Sequence, residues 1–329
     1  MSAEPAAKRR APGRPKRAAA PSGGSERSER GGTQFVRAMP WLFVGIWSTG
    51  FIAARLAMPH APPFGFLTLR FVFSAVCFAV WIAIVHAPWP RGRAQVVHLA
   101  ITGVLMQAGY LGGVWAAVKA GLGAGTTALL VGLQPVLTAV WLSRNAEVRG
   151  TSAMSLRRWL GLVLGFGGIT LVVWPKIGGE ATATNLAMAT VALLSITAGT
   201  LYQKRFVAPC DVRTASAVQM AAAFVVCLPL ALLEREAIDW HPNMIIAMVW
   251  SVGALTLGGS SLLYLLIQRG EATTVTSLLY LVPPCTALMA WAMFGESLTA
   301  VMMAGIAITV AGVALVVRPA SSDLEGEPR

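Results

Sequence analysis

Acidic residues are scarce in this sequence, and where they fall matters more than how few they are. Asp and Glu total 14 of 329 residues, and each lies in a tail, between apolar runs or at the end of one. A carboxylate in mid-membrane is a common means of holding a lipophilic cation or relaying a proton, and none is placed there. Histidine and cysteine number four each. His60, His86, His98 and His241 sit near the ends of apolar runs without clustered thiols or carboxylates, and Cys77, Cys210, Cys227 and Cys285 show no CxxC spacing. No metal site and no disulfide framework is expected. A Walker A pattern is absent as well, which argues against direct ATP drive, and no cofactor is implied.

What the chain does have is apolar surface. Apolar residues make up 56% and charged residues 12%, with mean hydropathy +0.65, far more apolar than a soluble chain of this length needs. The long apolar runs fall at roughly 39–57, 64–86, 96–118, 123–143, 158–174, 185–203, 215–233, 244–267, 272–294 and 299–317, separated by short polar breaks. Each approaches the length that crosses about 30 Å of hydrocarbon at 1.5 Å per residue. The expected fold class is therefore an all-α polytopic membrane protein of about ten transmembrane helices.

The net charge of +12 would suggest nucleic acid in a soluble protein, but its distribution argues for a lipid bilayer instead. Nine basic residues against three acidic ones precede the first apolar run. Residues 1–37 are rich in Ala, Pro, Gly, Ser and Arg and are expected to be a disordered basic cytoplasmic tail. The run that follows reaches about 19 residues and lacks an A-x-A-like cleavage site, which fits a retained first helix better than a signal peptide. With the N-terminus inside, eleven loop Arg and Lys residues are cytoplasmic and four, Arg55, Lys119, Lys176 and Arg235, are outside. An even number of spans then returns the C-terminus to the cytoplasm, as expected for a multi-pass protein of the inner membrane.

The sequence also repeats itself. At an offset of 149 residues Gly50 falls on Gly199, Gly109 on Gly258, Gly121 on Gly270, Thr127 on Thr276, Pro135 on Pro284 and Glu147 on Glu296. At an offset of 144, Gly161, Gly168 and Pro175 fall on Gly305, Gly312 and Pro319. Matched Gly, Pro and Glu in constant register indicate duplication, with units at 38–176 and 177–319 and a C-terminal tail at 320–329. Five spans per unit is an odd number, so the second unit is expected to enter the membrane from the opposite face. Inverted pairs of this kind commonly hold a small-molecule substrate at their interface and alternate its access.

The residues Trp47, Ser48, Thr49, Gly50, Phe51, Ile52, Ala53, Ala54 and Arg55, followed by Ala61-Pro62-Pro63 and Leu69-Arg70-Phe71, resemble the opening of EamA-type members of the drug/metabolite transporter superfamily. Ala128 to Pro135 with Glu147 and Trp159-Leu160-Gly161, and then Pro283-Pro284 with Gly295-Glu296, resemble the family pattern at the fourth-to-fifth and ninth spans. Ser48 stands where many members have Gly, and the loop from Glu147 to Trp159 is longer than usual. The resemblance implies a secondary transporter. It also implies that the Trp47 motif faces the pore and that the fifth and tenth spans, with Gly161, Gly165, Gly168, Gly305 and Gly312, hold halves or protomers together as a monomer or homodimer.

Candidate site residues follow from the cost of polarity in lipid. Gln107, Gln134 and Gln219 are mid-span amides that must face inward, either as substrate groups or as helix-to-helix glue. Pro135 removes a backbone donor beside Gln134, and Pro283 and Pro284 act likewise on the ninth span, so these are gating candidates. Thr127, Val131, Gln134 and Thr138 share one helical face, with Thr276, Tyr280 and Pro283 on the matching face. Trp47, Tyr110, Trp115, Tyr202, Tyr264 and Tyr280 offer amphipathic walls, although interface anchoring explains many such rings. Arg70 either snorkels to the outer interface or attracts an anion near a cavity mouth, and its repeat partner is the neutral Gln219.

The favoured function is export of a small neutral or zwitterionic metabolite, such as an amino acid, by alternating access. Efflux of lipophilic cations by the same fold is disfavoured by the missing mid-span acids. A membrane-embedded enzyme acting on a lipid carrier would need clustered His, Asp or Arg at one face, and only Arg157-Arg158 approaches that.

Overall fold

The computed structural model describes residues 23–138, 140–141, 156–177, 179–259, 261–262 and 281–317. Among these residues the chain is helical, with no strand beyond one isolated bridge between Ile177 and Ala181. We label the helices α1 (Gly23–Ala57), α2 (Pro63–Val85), α3 (Arg93–Lys119), α4 (Ala124–Thr138), α5 (Leu156–Val173), α6 (Ala183–Phe206), α7 (Val212–Leu233), α8 (Pro242–Gly258), α9 (Val282–Phe294) and α10 (Ala300–Val317). Five stretches, in α2, α3, α5, α6 and α7, are long and apolar enough to cross a membrane, and the other helices contain shorter apolar segments. The chain divides into a unit of Met1–Met39 and one of Pro40–Arg329.

In the first unit the helix begins at Gly23, well before the apolar run. Part of the segment expected to be structureless is thus helical, consistent with propagation from an established helix costing far less than nucleation.

In the second unit, proline and a few special backbones set the helix ends. Pro62 and Pro63 open α2 and Pro242 opens α8, positions where a missing N–H costs nothing. His86 closes α2 in the left-handed region at φ 51°, donating its N–H to the Ile82 carbonyl. Gly295 does the same for α9 at φ 67°. Thr182 and Asn185 form a reciprocal capping box on α6, and the Asn185 amide also donates to the Ala120 carbonyl at 3.2 Å.

Two helix N-termini are capped by carboxylates from the other half of the chain. Glu234 accepts from the Phe64 and Gly65 amides of α2 at 3.0 and 2.7 Å, and Glu296 accepts from Ala124 of α4 at 2.9 Å. Each offsets orphan donors and the positive helix end. Glu234→Ala is expected to destabilise the fold by about 1 kcal/mol, the usual cost of losing a cap, read as a lower unfolding temperature in detergent.

Alternate loops gather at opposite ends of the bundle. Lys119 donates to the Met58 carbonyl at 2.8 Å and pairs with Glu236, His60 bonds Asp239 at 3.0 Å, and Lys176 reaches Thr126 at 3.1 Å. Together with the Asn185 and Glu296 contacts, these place the loops after α1, α3, α5, α7 and α9 on one face. At the other face the Gln95 amide donates to the Ala208 carbonyl and Thr214 donates to the Pro88 carbonyl, joining the loops after α2 and α6. Lys119 and Lys176 on the first face are neutralised by Glu236 and Glu180. On the second face Arg213 is paired with Asp211, whose carboxyl the Arg213 hydrogen bond holds below the usual range while burial pushes the other way.

Helix pairing follows the repeat: α2 packs on α7, α4 on α9 and α5 on α10. The α5–α10 seam is built on glycine. A methyl at Gly168 would lie 2.6 Å from the Gly305 carbonyl oxygen, and one at Gly312 would lie 2.6 Å from the Gly165 nitrogen. The seam lies within one chain, which assigns these glycines to close helix approach between the halves.

Candidate functional site

The two longest irregularities in helical winding occupy matching places in the repeats. Val104–Gly109 of α3 and Ser251–Gly258 of α8 are π-helical, and both end on glycines that the 149-residue register superimposes. A π turn inserts an extra residue, shifting the side chains around it and loosening the backbone ladder, which is why such turns concentrate at functional sites. At one shared register position each carries a polar side chain, Gln107 in the first and Thr256 in the second, and the second also begins on Ser251.

Between these turns lies a cavity of about 120 Å³, walled by α1, α2, α3, α6, α7 and α8. Two pairs of its apolar lining match across the repeat, Trp47 with Ile196 and Met106 with Leu255, while most of the remaining wall comes from the first repeat. Its polar lining is Gln107, Thr256, Tyr110 and Arg70. The polarity is unequal, because Tyr110 has Gly259 and Arg70 has Gln219 at the equivalent positions, so the first repeat supplies the stronger groups.

The second π turn places a hydrogen-bond partner beside Arg70. Thr256 donates its hydroxyl to the Ser251 carbonyl five residues back, at 2.8 Å, the spacing a π turn creates. Its oxygen then faces Arg70 and accepts from Nη2 at 3.3 Å. Arg70 is 7% exposed, so it does not snorkel to the interface. It lies two turns into α2, one turn past the fully buried Phe66 and Leu67, and Phe66 stacks at 4.3 Å on Trp115, which lines the same cavity as Arg70.

Other singled-out residues lie elsewhere. Gln134 donates to the Thr200 hydroxyl at 2.9 Å, tying α4 to α6 as helix glue, and it does not line the cavity. Regular winding of α4 stops after Val131, one turn ahead of Pro135, where the ring excludes the carbonyl four residues back. Pro283 and Pro284 lie in the first turn of α9, and a methyl at Gly132 would come within 2.9 Å of the Pro283 ring, so the loosened part of α4 meets the start of α9. Gln219 lies on α7 with its backbone against Gly103, where a methyl would sit 2.5 Å from the Gln219 oxygen. Tyr202 bonds His98 at 2.8 Å and packs on Phe206, away from the cavity. Tyr264, Tyr280, Thr276, Glu147 and Glu271 lie outside the described residues.

Sequence reading did not single out Thr256, Met106, Ile196 or Leu255. The signal was present for two of them, since the same register that paired the glycines places Thr256 opposite Gln107 and Ile196 opposite Trp47, whereas Met106 and Leu255 pair only with each other.

A duplicated bundle of apolar helices with a cavity between its repeats matches the plan on which many membrane carriers are built. The chain belongs to the EamA-like transporter family, whose model matches residues 41–174 and again 184–318. A probable amino-acid metabolite efflux pump of Salmonella typhimurium is 22% identical over 283 residues, covering 83% of this chain and 91% of that protein. The uncharacterized inner membrane transporter YedA of Escherichia coli is 24% identical over 278 residues, covering 82% and 87%. A crystal structure shares the fold over 85% of this chain and 95% of its own, with a TM-score of 0.58 at 15% identity.

Proposed function

We propose that this transporter exports a small neutral or zwitterionic metabolite, of amino-acid size and chemistry, across the inner membrane by alternating access. The reading takes all ten apolar segments as spans in two inverted units, with both termini cytoplasmic. The observation that carries it is the cavity itself, which residues of both repeats line, because a site between inverted units can be exposed to either face by rocking one against the other. The basic residues Arg91, Arg93, Lys204, Arg205 and Arg213 collect at the end of the bundle assigned to the cytoplasm, which supports the orientation. The name of the Salmonella relative supports the solute class.

Efflux of lipophilic cations is disfavoured by the site's own charge. Among the described residues the lining holds a guanidinium and no carboxylate, so an incoming cation meets repulsion. Purified protein in liposomes, loaded with a mixture of amino acids and small metabolites, is expected to move a subset saturably. Overexpression is expected to leave sensitivity to quaternary ammonium dyes unchanged. Flux of none of these solutes, or dye resistance without metabolite flux, would remove the reading.

A further inference from the structure

Arg70 is a buried cation with no carboxylate paired to it among the described residues. Its Nη2 has one long hydrogen bond to Thr256, and its Nε is buried with no partner. The acids that the structure describes in the second unit are engaged at the two ends of the bundle: Glu234 and Glu296 on helix N-termini, Glu236 and Glu180 on lysines, Asp239 on His60 and Asp211 on Arg213. A guanidinium in such a place keeps its proton and holds a standing desolvation cost that an anion entering the cavity would relieve. The planar fork of the guanidinium matches a carboxylate, and the free Nε lies on the edge that a bidentate partner uses together with a terminal nitrogen.

We propose that Arg70 is the carboxylate site of the cavity, and that the transported solute carries a carboxylate on a small apolar body. The neighbours divide the remaining work. Tyr110 and Gln107 line the same cavity with groups that both donate and accept, and these can hold a second polar group such as an amine. Trp47, Phe51 and Trp115 supply the apolar wall. Position 219 carries Gln rather than Arg, so the site binds one carboxylate in one orientation, despite the duplicated scaffold.

The proposal rests on the cavity being the solute site, and its test is made by binding as well as by flux. Benzoate is the probe, being the smallest flat ring with a carboxylate, and benzamide is its uncharged isostere. Titration calorimetry on purified full-length protein is expected to show saturable benzoate binding, with benzamide at least about tenfold weaker. Arg70→Gln is expected to lose benzoate affinity by a similar factor, and Arg70→Lys, with charge but no fork, to fall between. Benzamide binding as tightly as benzoate, or no saturable binding at millimolar benzoate, overturns the proposal, and both comparisons need only the wild-type protein. Inorganic phosphate binding more tightly than benzoate overturns the carboxylate assignment in favour of an inorganic-anion site. Flux of an uncharged solute that persists in Arg70→Gln removes the carboxylate site while leaving the exporter reading in place. Benzoate binding without flux of any metabolite removes the exporter reading alone.

Discussion

Gln107→Leu and Thr256→Val are each expected to cut the initial rate of solute flux in liposomes by roughly one order of magnitude, and the double variant by more. Each substitution keeps volume and removes polarity, so the cavity keeps its shape while losing a hydrogen-bonding wall. A buried hydrogen bond is worth about 1 kcal/mol net, and one to a charged group about 1.5–3 kcal/mol, which sets the scale. Thr256→Val is expected to be the more severe, because the Thr256 hydroxyl is what Arg70 Nη2 donates to. Removing it leaves that nitrogen to find water or solute. Gln107 has no such second duty among the described contacts. Comparable expression and unfolding temperature would assign the loss to transport, and rates within about twofold of wild type for both single variants would place the pathway elsewhere.

Gly168→Leu is expected to have the largest effect on the folded protein. The α5–α10 seam is a close helix pairing built on glycine from both sides, and at Gly168 a methyl already meets the Gly305 oxygen at 2.6 Å and the Thr309 nitrogen at 2.7 Å. These are backbone atoms that no rotamer change can move aside. Four added carbons force the helices apart, breaking the reciprocal contacts of Gly305 and Gly312. Overpacking a tight site commonly costs 1–3 kcal/mol and more where the backbone must shift, so loss of most detergent-extractable monodisperse protein is expected. Gly167→Leu, one residue away with nothing within 4 Å of an added methyl, is the matched control and is expected to extract normally. Equal behaviour of the two variants, judged by size-exclusion chromatography, would contradict the packing assignment.

The duplication was legible in the sequence because glycine and proline keep their register where backbone geometry demands them. Gly109 and Gly258 close matching π turns, while Pro135 and its neighbours loosen α4 where it meets α9. The inward amides were legible as a class, because an amide facing lipid costs too much, but not their individual fates. Gln107 lines the cavity and Gln134 bonds Thr200 across a helix contact, and hydropathy treats the two alike. The winding of α3 and α8 was hidden, since a π turn depends on which carbonyl each N–H reaches and leaves no mark on composition. That hidden turn is what brings Thr256 to Arg70. The depth of Arg70 was obscured for a related reason: counting residues from the start of α2 gives its height, whereas its burial depends on how α2 packs on the other helices around the cavity.

An alternating-access path opens the cavity between the repeats to each side of the membrane in turn. Gln107→Cys, in a chain whose four native cysteines are replaced by serine or alanine, tests it most directly. With a membrane-impermeant thiol reagent, position 107 is expected to react in right-side-out and in inverted vesicles, and transported solute is expected to slow both reactions. Labelling from neither side, or from one side only irrespective of solute, would contradict an alternating-access path through this cavity.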